Sequence, residues 1–138
     1  MKVFIDSDVI ISSLISSSGA AFYLLNKRFN FDLYISNHSV NELRIVIKRK
    51  GLSENDFSKI IKNVVVYENK YSLEYIKLNF MSYVFDIDDA HIVCSAKEIN
   101  SDFLVTYNMK DYKIEKIKNE FDIIITKPAN FLQYLRSI

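Results

Sequence analysis

The sequence predicts a three-layer α/β/α fold, with helices covering both faces of a central parallel sheet. Three observations carry this. Short apolar, β-prone runs recur along the chain: Val3-Phe4-Ile5, Leu33-Tyr34-Ile35, Val64 to Tyr67, Phe103 to Tyr107 and Ile123 to Thr126. Helical patterns fill most of the stretches between them, the alternation that brings strands side by side in parallel. Finally, only two glycines and one proline occur in 138 residues, which disfavours linkers, disorder and fibrous repeats. Residues 1–138 therefore read as one domain, a size that can bury a substantial core.

Each element has its own signal. The first strand, Val3 to Ile5, is stopped by Asp6-Ser7-Asp8. From Val9 to about Arg28 the spacing is helical, and Ser16-Ser17-Ser18-Gly19 divides it into two helices or loosens one. After the Leu33–Ile35 strand, a helix runs from about Val40 to Lys50 and ends at Gly51. Others are expected from Glu54 to Asn63, from Leu73 to about Phe80 and from Asp88 to Ile99. A basic turn is expected between the Phe103 and Ile123 strands. Pro128 suits the first turn of a last helix reaching Leu135, where its missing N–H costs little.

The composition is 49% hydrophobic and 25% charged, as in ordinary globular proteins. The net charge of +1 is neutral on the question of a polyanionic partner. The single cysteine, Cys94, has no internal disulfide partner and lies among apolar residues, which reads as a buried thiol rather than a nucleophile. Met1 to Asp6 lacks the pattern of a secretory signal, and no apolar run approaches membrane-spanning length. The expected location is the cytoplasm, with no membrane association.

Open parallel sheets bind ligands beyond the carboxyl ends of their strands. Asp6 follows the first strand, Glu42 lies in the first turn of the helix after the second, and Asp86, Asp88 and Asp89 begin a later helix. Asn108 and Asp111 follow the Phe103–Tyr107 strand. Carboxylates so gathered repel one another unless protonated or paired with a cation, and an oxygen-only set suits Mg²⁺ or Mn²⁺. Simpler roles compete. Ser39-Val40-Asn41-Glu42 fits a capping box, and Asp86-Ile87-Asp88-Asp89 fits a helix N-cap. Asp6 is harder to explain so, because a carboxylate tight against a buried strand is costly without a partner.

Val3-Phe4-Ile5-Asp6-Ser7-Asp8-Val9-Ile10-Ile11-Ser12 resembles the opening of PIN domains, with Asp8 where the family usually has asparagine. Ser39 to Leu43, Asp88 to Ile92, Leu104 to Tyr112 and Thr126 to Leu132 are similar to later family segments, in the family's order. The resemblance implies a metal-dependent endoribonuclease with Mg²⁺ or Mn²⁺ held by Asp6, Glu42, Asp89 and Asp111. Asp86, Asn108 and Asp8 are alternative ligands. It also implies RNA as substrate, a homodimer, and kinship with VapC-type toxins, which pair with an antitoxin protein. Where many members have Thr-x-Asp, this chain has Thr106-Tyr107-Asn108. That departure keeps open a non-catalytic RNA-binding or scaffold role. A further alternative is the Asp-x-Asp of haloacid-dehalogenase-like phosphatases, which Asp6-Ser7-Asp8 also resembles.

Two basic stretches are candidates for following a phosphate backbone. Residues 44–62 hold six basic against two acidic residues, and 110–118 hold four against two. A run of lysines is more often a solvated helix face. Most of the nine tyrosines and ten phenylalanines are expected in the core, with Tyr107 and Tyr112 as candidates for base stacking. His91 and His38 are placed outside the site.

Overall fold

Strand β1 (Lys2–Ile5) shows how both faces of the sheet are built. Successive side chains of a strand point to opposite faces. Val3 and Ile5 accordingly enter one hydrophobic core, while Phe4 enters the other. The computed structural model describes residues 1–138. The remaining strands are β2 (Asp32–Ser36), β3 (Val65–Tyr67), β4 (Phe103–Val105) and β5 (Ile124–Thr126), and every pairing is parallel.

The sheet order is β3-β2-β1-β4-β5. The order in which strands are laid down reverses between β1 and β4, and at such a switch point the crossovers diverge and leave a crevice above the strand ends. Helices α1 (Ser7–Ile15), α2 (Ala20–Asn26), α3 (Asn37–Lys50), α4 (Glu54–Lys62) and α8 (Pro128–Arg136) fill the face shared with Val3 and Ile5. Helices α5 (Leu73–Phe80), α6 (Ala90–Glu98) and α7 (Ile114–Phe121) cover the face shared with Phe4. The three-layer parallel fold predicted from sequence is the one observed.

The 9–28 stretch takes the two-helix alternative, bent by 102° at the serine-rich break. Three local expectations need correction. Helix α3 begins at Asn37, capped by Ser36, whose Oγ accepts the Ser39 N–H at 3.1 Å. Glu42 is thereby in the second turn, and the Ser39–Glu42 capping box does not form. The "basic turn" contains α7, whose apolar Ile114, Ile117 and Phe121 lie at helical spacing. Finally, β4 stops at Val105; the Thr106 N–H still donates to the Thr126 carbonyl at 3.0 Å, and its buried hydroxyl turns to Asp6.

No helix is long and apolar enough to cross a membrane; α1 and α2 together are apolar, but their buried residues belong to the core. Cys94 is fully buried and its thiol is pushed up by that burial, as expected for an inert residue. Pro128 occupies the first turn of α8.

Candidate active site at the sheet switch point

Asp6 stands at the N-cap of α1 but does not cap it. Its backbone N–H continues the sheet, donating to the Val105 carbonyl at 3.0 Å. Its carboxylate is only 5% exposed and turns across the switch point instead. There Oδ2 accepts the Tyr112 hydroxyl at 2.6 Å and the Thr106 hydroxyl at 2.9 Å. Two O–H donors on one oxygen hold the charge in place. The other oxygen, Oδ1, meets only Ser7 Oγ at 3.4 Å. Tyr112 is held well above its ordinary value, first by burial and then by the Asp6 charge, so it stays a donor.

Asp8 lies beside this pair. Its Oδ2 accepts the Tyr107 N–H at 3.1 Å and is 3.2 Å from Thr106 Oγ1. Thr106 has one hydroxyl proton for two carboxylates, and Asp8 Oδ1 is buried without any partner. Burial, followed by repulsion from Asp6, raises the Asp8 carboxyl from 3.8 to about 7 despite those donors.

Asp89 arrives from the other core layer. It occupies the N-cap of α6 and, like Asp6, makes no capping bond. Its carboxyl is raised from 3.8 to about 7, first by burial and then by the charges of Asp6, Asp86, Asp111 and Glu42. These residues come from four segments of the chain. The choice within the acidic cluster follows from the neighbours: Asp86 Oδ1 caps the 3₁₀ turn Ile87–Asp89 through the Asp88 N–H at 3.0 Å. Asp88 is exposed and pairs with Lys77 at 3.2 Å. The cap reading thus holds for Asp86 and fails for Asp89.

Glu42 is exposed and is met by His91, whose Nε2 lies 3.2 Å from Oε1. The His91 ring is buried, with Nδ1 unpartnered, and packs edge-on against His38 at 5.9 Å. A neutral ring must carry its proton on Nε2 to make this contact. The sequence reading left His91 outside the site. The position two residues after Asp89 was the available signal, but only the structure puts α6 against α3 at that point.

Asp111 ends a 3₁₀ turn, Met109–Asp111, and is close enough to act on Asp89. Asn108 is exposed and its N–H goes back to Thr106 Oγ1 at 3.1 Å. Tyr112 is only 2% exposed, so it positions Asp6 and is not available for stacking. Tyr107 remains accessible. No three His, Cys, Asp or Glu side chains lie close enough to form a ready-made metal cage.

Comparison with known sequences now bears on this arrangement. The PIN-domain family profile matches residues 2–110. The chain belongs to the PIN-domain family. Solved structures agree with that fold. The VapBC2 complex of Rickettsia felis, bound to a DNA fragment from its promoter, aligns over 92% of this chain and 98% of its own at TM-score 0.64 and 15% identity. A toxin–antitoxin complex from Klebsiella pneumoniae aligns over 91% and 97%, at TM-score 0.66 and 17% identity. The sarcin-ricin-loop-cleaving toxin VapC20 of Mycobacterium tuberculosis aligns over 74% and 86%, at TM-score 0.55 and 16% identity. No curated protein sequence matches the chain.

In this PIN domain the donors at the switch point are all oxygens, with one buried oxygen of Asp8 unsatisfied and Asp89 burdened by neighbouring charge. That chemistry fits a hard divalent cation. Mg²⁺ usually keeps several waters and needs only one or two direct carboxylates, so the absence of a tight cage is compatible with it. The PIN-domain match over residues 2–110 favours this family over the haloacid-dehalogenase alternative.

Proposed function

We propose that this PIN domain is a divalent-metal-dependent endoribonuclease and the toxin of a toxin–antitoxin pair. The observation that carries the reading is the clustering of Asp6 and Asp8 around the Thr106 hydroxyl at the sheet switch point, with Asp89 raised by the charges of Asp6, Asp111 and Glu42. Family membership supports the nuclease class, and the sarcin-ricin-loop-cleaving neighbour supports RNA as substrate. The neighbouring toxin–antitoxin complexes support an antitoxin partner, and we place the action in the cytoplasm as part of this proposal.

Asp6, Glu42, Asp89 and Asp111 would hold Mg²⁺ or Mn²⁺, with Asp8 and Asp86 flanking them. When bound, such an ion lowers the pKa of water and stabilises a leaving oxygen at phosphorus. The chain's own contribution is positional. Tyr112 and Thr106 fix one oxygen of Asp6, while the other meets only Ser7 Oγ at 3.4 Å. His91 steadies Glu42, whose exposed carboxylate would otherwise sample several rotamers. Asn108 is outside the ligand set on this reading, and Asp111 supplies the fourth charge.

The decisive assay is cleavage of unstructured RNA with Mg²⁺, with EDTA, and with the Asp6→Asn variant. Cleavage is expected only for the parent with metal, and the variant should lose at least about a hundredfold in rate, as when preorganised charge at a reaction centre is removed. Equal cutting by Asp6→Asn would sink the assignment. The non-catalytic alternative is favoured by one feature, the lack of a preformed cage; calorimetry showing no Mg²⁺ or Mn²⁺ binding at millimolar concentration would select it.

A further inference from the structure

Beside the acidic centre lies an open cleft of about 540 Å³, lined by Phe85, Met109, Lys110, Lys113, Ile114 and Lys116 among others. Its two walls lead directly into the centre: Phe85 precedes Asp86, and Lys110 precedes Asp111. The Phe85 N–H donates to the Asp111 carbonyl at 2.9 Å and locks the walls together. Phe85 is 71% exposed, far from a core position. Lys113 Nζ stands 5.5 Å from the centre of its ring, and Lys116 lies 4.5 Å from that of Tyr83.

We propose that this cleft binds single-stranded RNA next to the acidic centre, with Phe85 stacking on a base and Lys110, Lys113 and Lys116 following the phosphates. The proposal rests on the ribonuclease reading and specifies the substrate as unpaired strand. A polyanion needs positive charge beside the carboxylates, since they would otherwise repel it; the cleft supplies three lysines against Glu115. An exposed aromatic ring with lysines around it is the usual platform for an unpaired base. A duplex keeps its bases stacked internally and would leave Phe85 unused. The second basic stretch lacks this placement: Lys48, Arg49 and Lys50 form the last turn of α3, where cations simply complement the helix end.

The test is fluorescence anisotropy of a labelled unstructured RNA of about twelve nucleotides, a length within the usual site size, and of its duplex, both in EDTA to prevent cutting. Phe85→Ala and Phe85→Leu should weaken single-strand binding about five- to a hundredfold, and Phe85→Tyr should restore it. Replacing Lys110, Lys113 and Lys116 together by glutamine should lower the slope of log affinity against log salt by about 2. The same change at Lys48, Arg49 and Lys50 should leave both unchanged. Phe85→Ala binding as tightly as the parent, or a duplex bound as tightly as the single strand, would overturn the proposal. Parallel cleavage assays with Mg²⁺ separate the two readings. A parent that cuts RNA, with cleft variants that bind and cut equally well, removes the cleft alone. A parent that binds through Phe85 yet never cuts removes the nuclease reading and leaves the cleft standing.

Discussion

Asp8 and Asp89 are both held where the fold disfavours their charge, at about 7 rather than 3.8. The consequence for stability has a definite sign. In the unfolded chain these carboxyls ionise near 4, whereas in the folded, metal-free protein they keep their protons up to about 7. Their relative stabilisation is thus fully present below about pH 4 and is lost as pH rises through about 7. Asp89→Asn removes one such group. In EDTA it should unfold at a higher temperature than the parent at about pH 8 and at nearly the same temperature at about pH 4. A difference of the same size at both would show that the effect is not ionisation. Residue roles were the least legible part of the sequence. Asp6 stood out because a strand ends on it. Asp89 was preferred to Asp86 only for its place before Ala90, since both suit a cap, and the observed bonds distinguish the one that caps from the one that does not. Tyr112 looked accessible because sequence does not show that the chain doubles back over Asp6.

Helix α3 illustrates how element boundaries decide function. Its true cap, Ser36, is also the last residue of β2, so the strand signal hid the helix start. Placing the start at Val40 turned Glu42 into a capping residue; starting at Asn37 frees its carboxylate for His91 and the crevice. At the other end Gly51 adopts φ +65°, and its N–H returns to the Ile47 and Lys48 carbonyls. A Cβ there would meet no neighbour within 4 Å, so the cost of Gly51→Ala is backbone strain alone. We expect a loss of about 1–2 kcal/mol, seen as a lower urea midpoint with an unchanged slope. Catalytic rate per folded molecule should be unaffected, and a drop in rate would mean that α3 transmits strain to Glu42. Helix α7 was missed for a different reason. It has no side-chain cap and buries only Ile117 among lysines, so neither a start signal nor a wide apolar face marked it.

For the molecule as a whole, strand order does what no motif could show. The apolar runs predicted five strands and two covered faces, and this was legible because buried parallel strands are apolar nearly throughout. The order β3-β2-β1-β4-β5 was not legible, since pairing partners far apart in sequence leave no local trace. Yet that order puts Asp6 next to Thr106, a hundred residues away, and makes one crevice of separate loops. A cation bound there should report on the entire fold. Adding Mg²⁺ at about pH 8 should raise the unfolding temperature, and the gain should shrink at about pH 5, where protons compete for Asp8 and Asp89. Equal gains at both pH values would place the cation elsewhere.

The cost of keeping Asp89 and Asp8 ionised also bears on how this lineage can change. Folding does not protect these two side chains; it favours their neutral replacements. A copy of the gene relieved of selection for its chemistry would drift first at these positions, gaining robustness as it went silent, while Asp6, anchored by Tyr112 and Thr106, would persist as a relic. On the nuclease reading proposed above, the order in which the acidic residues disappear across descendants would then be a record of which copies kept that activity.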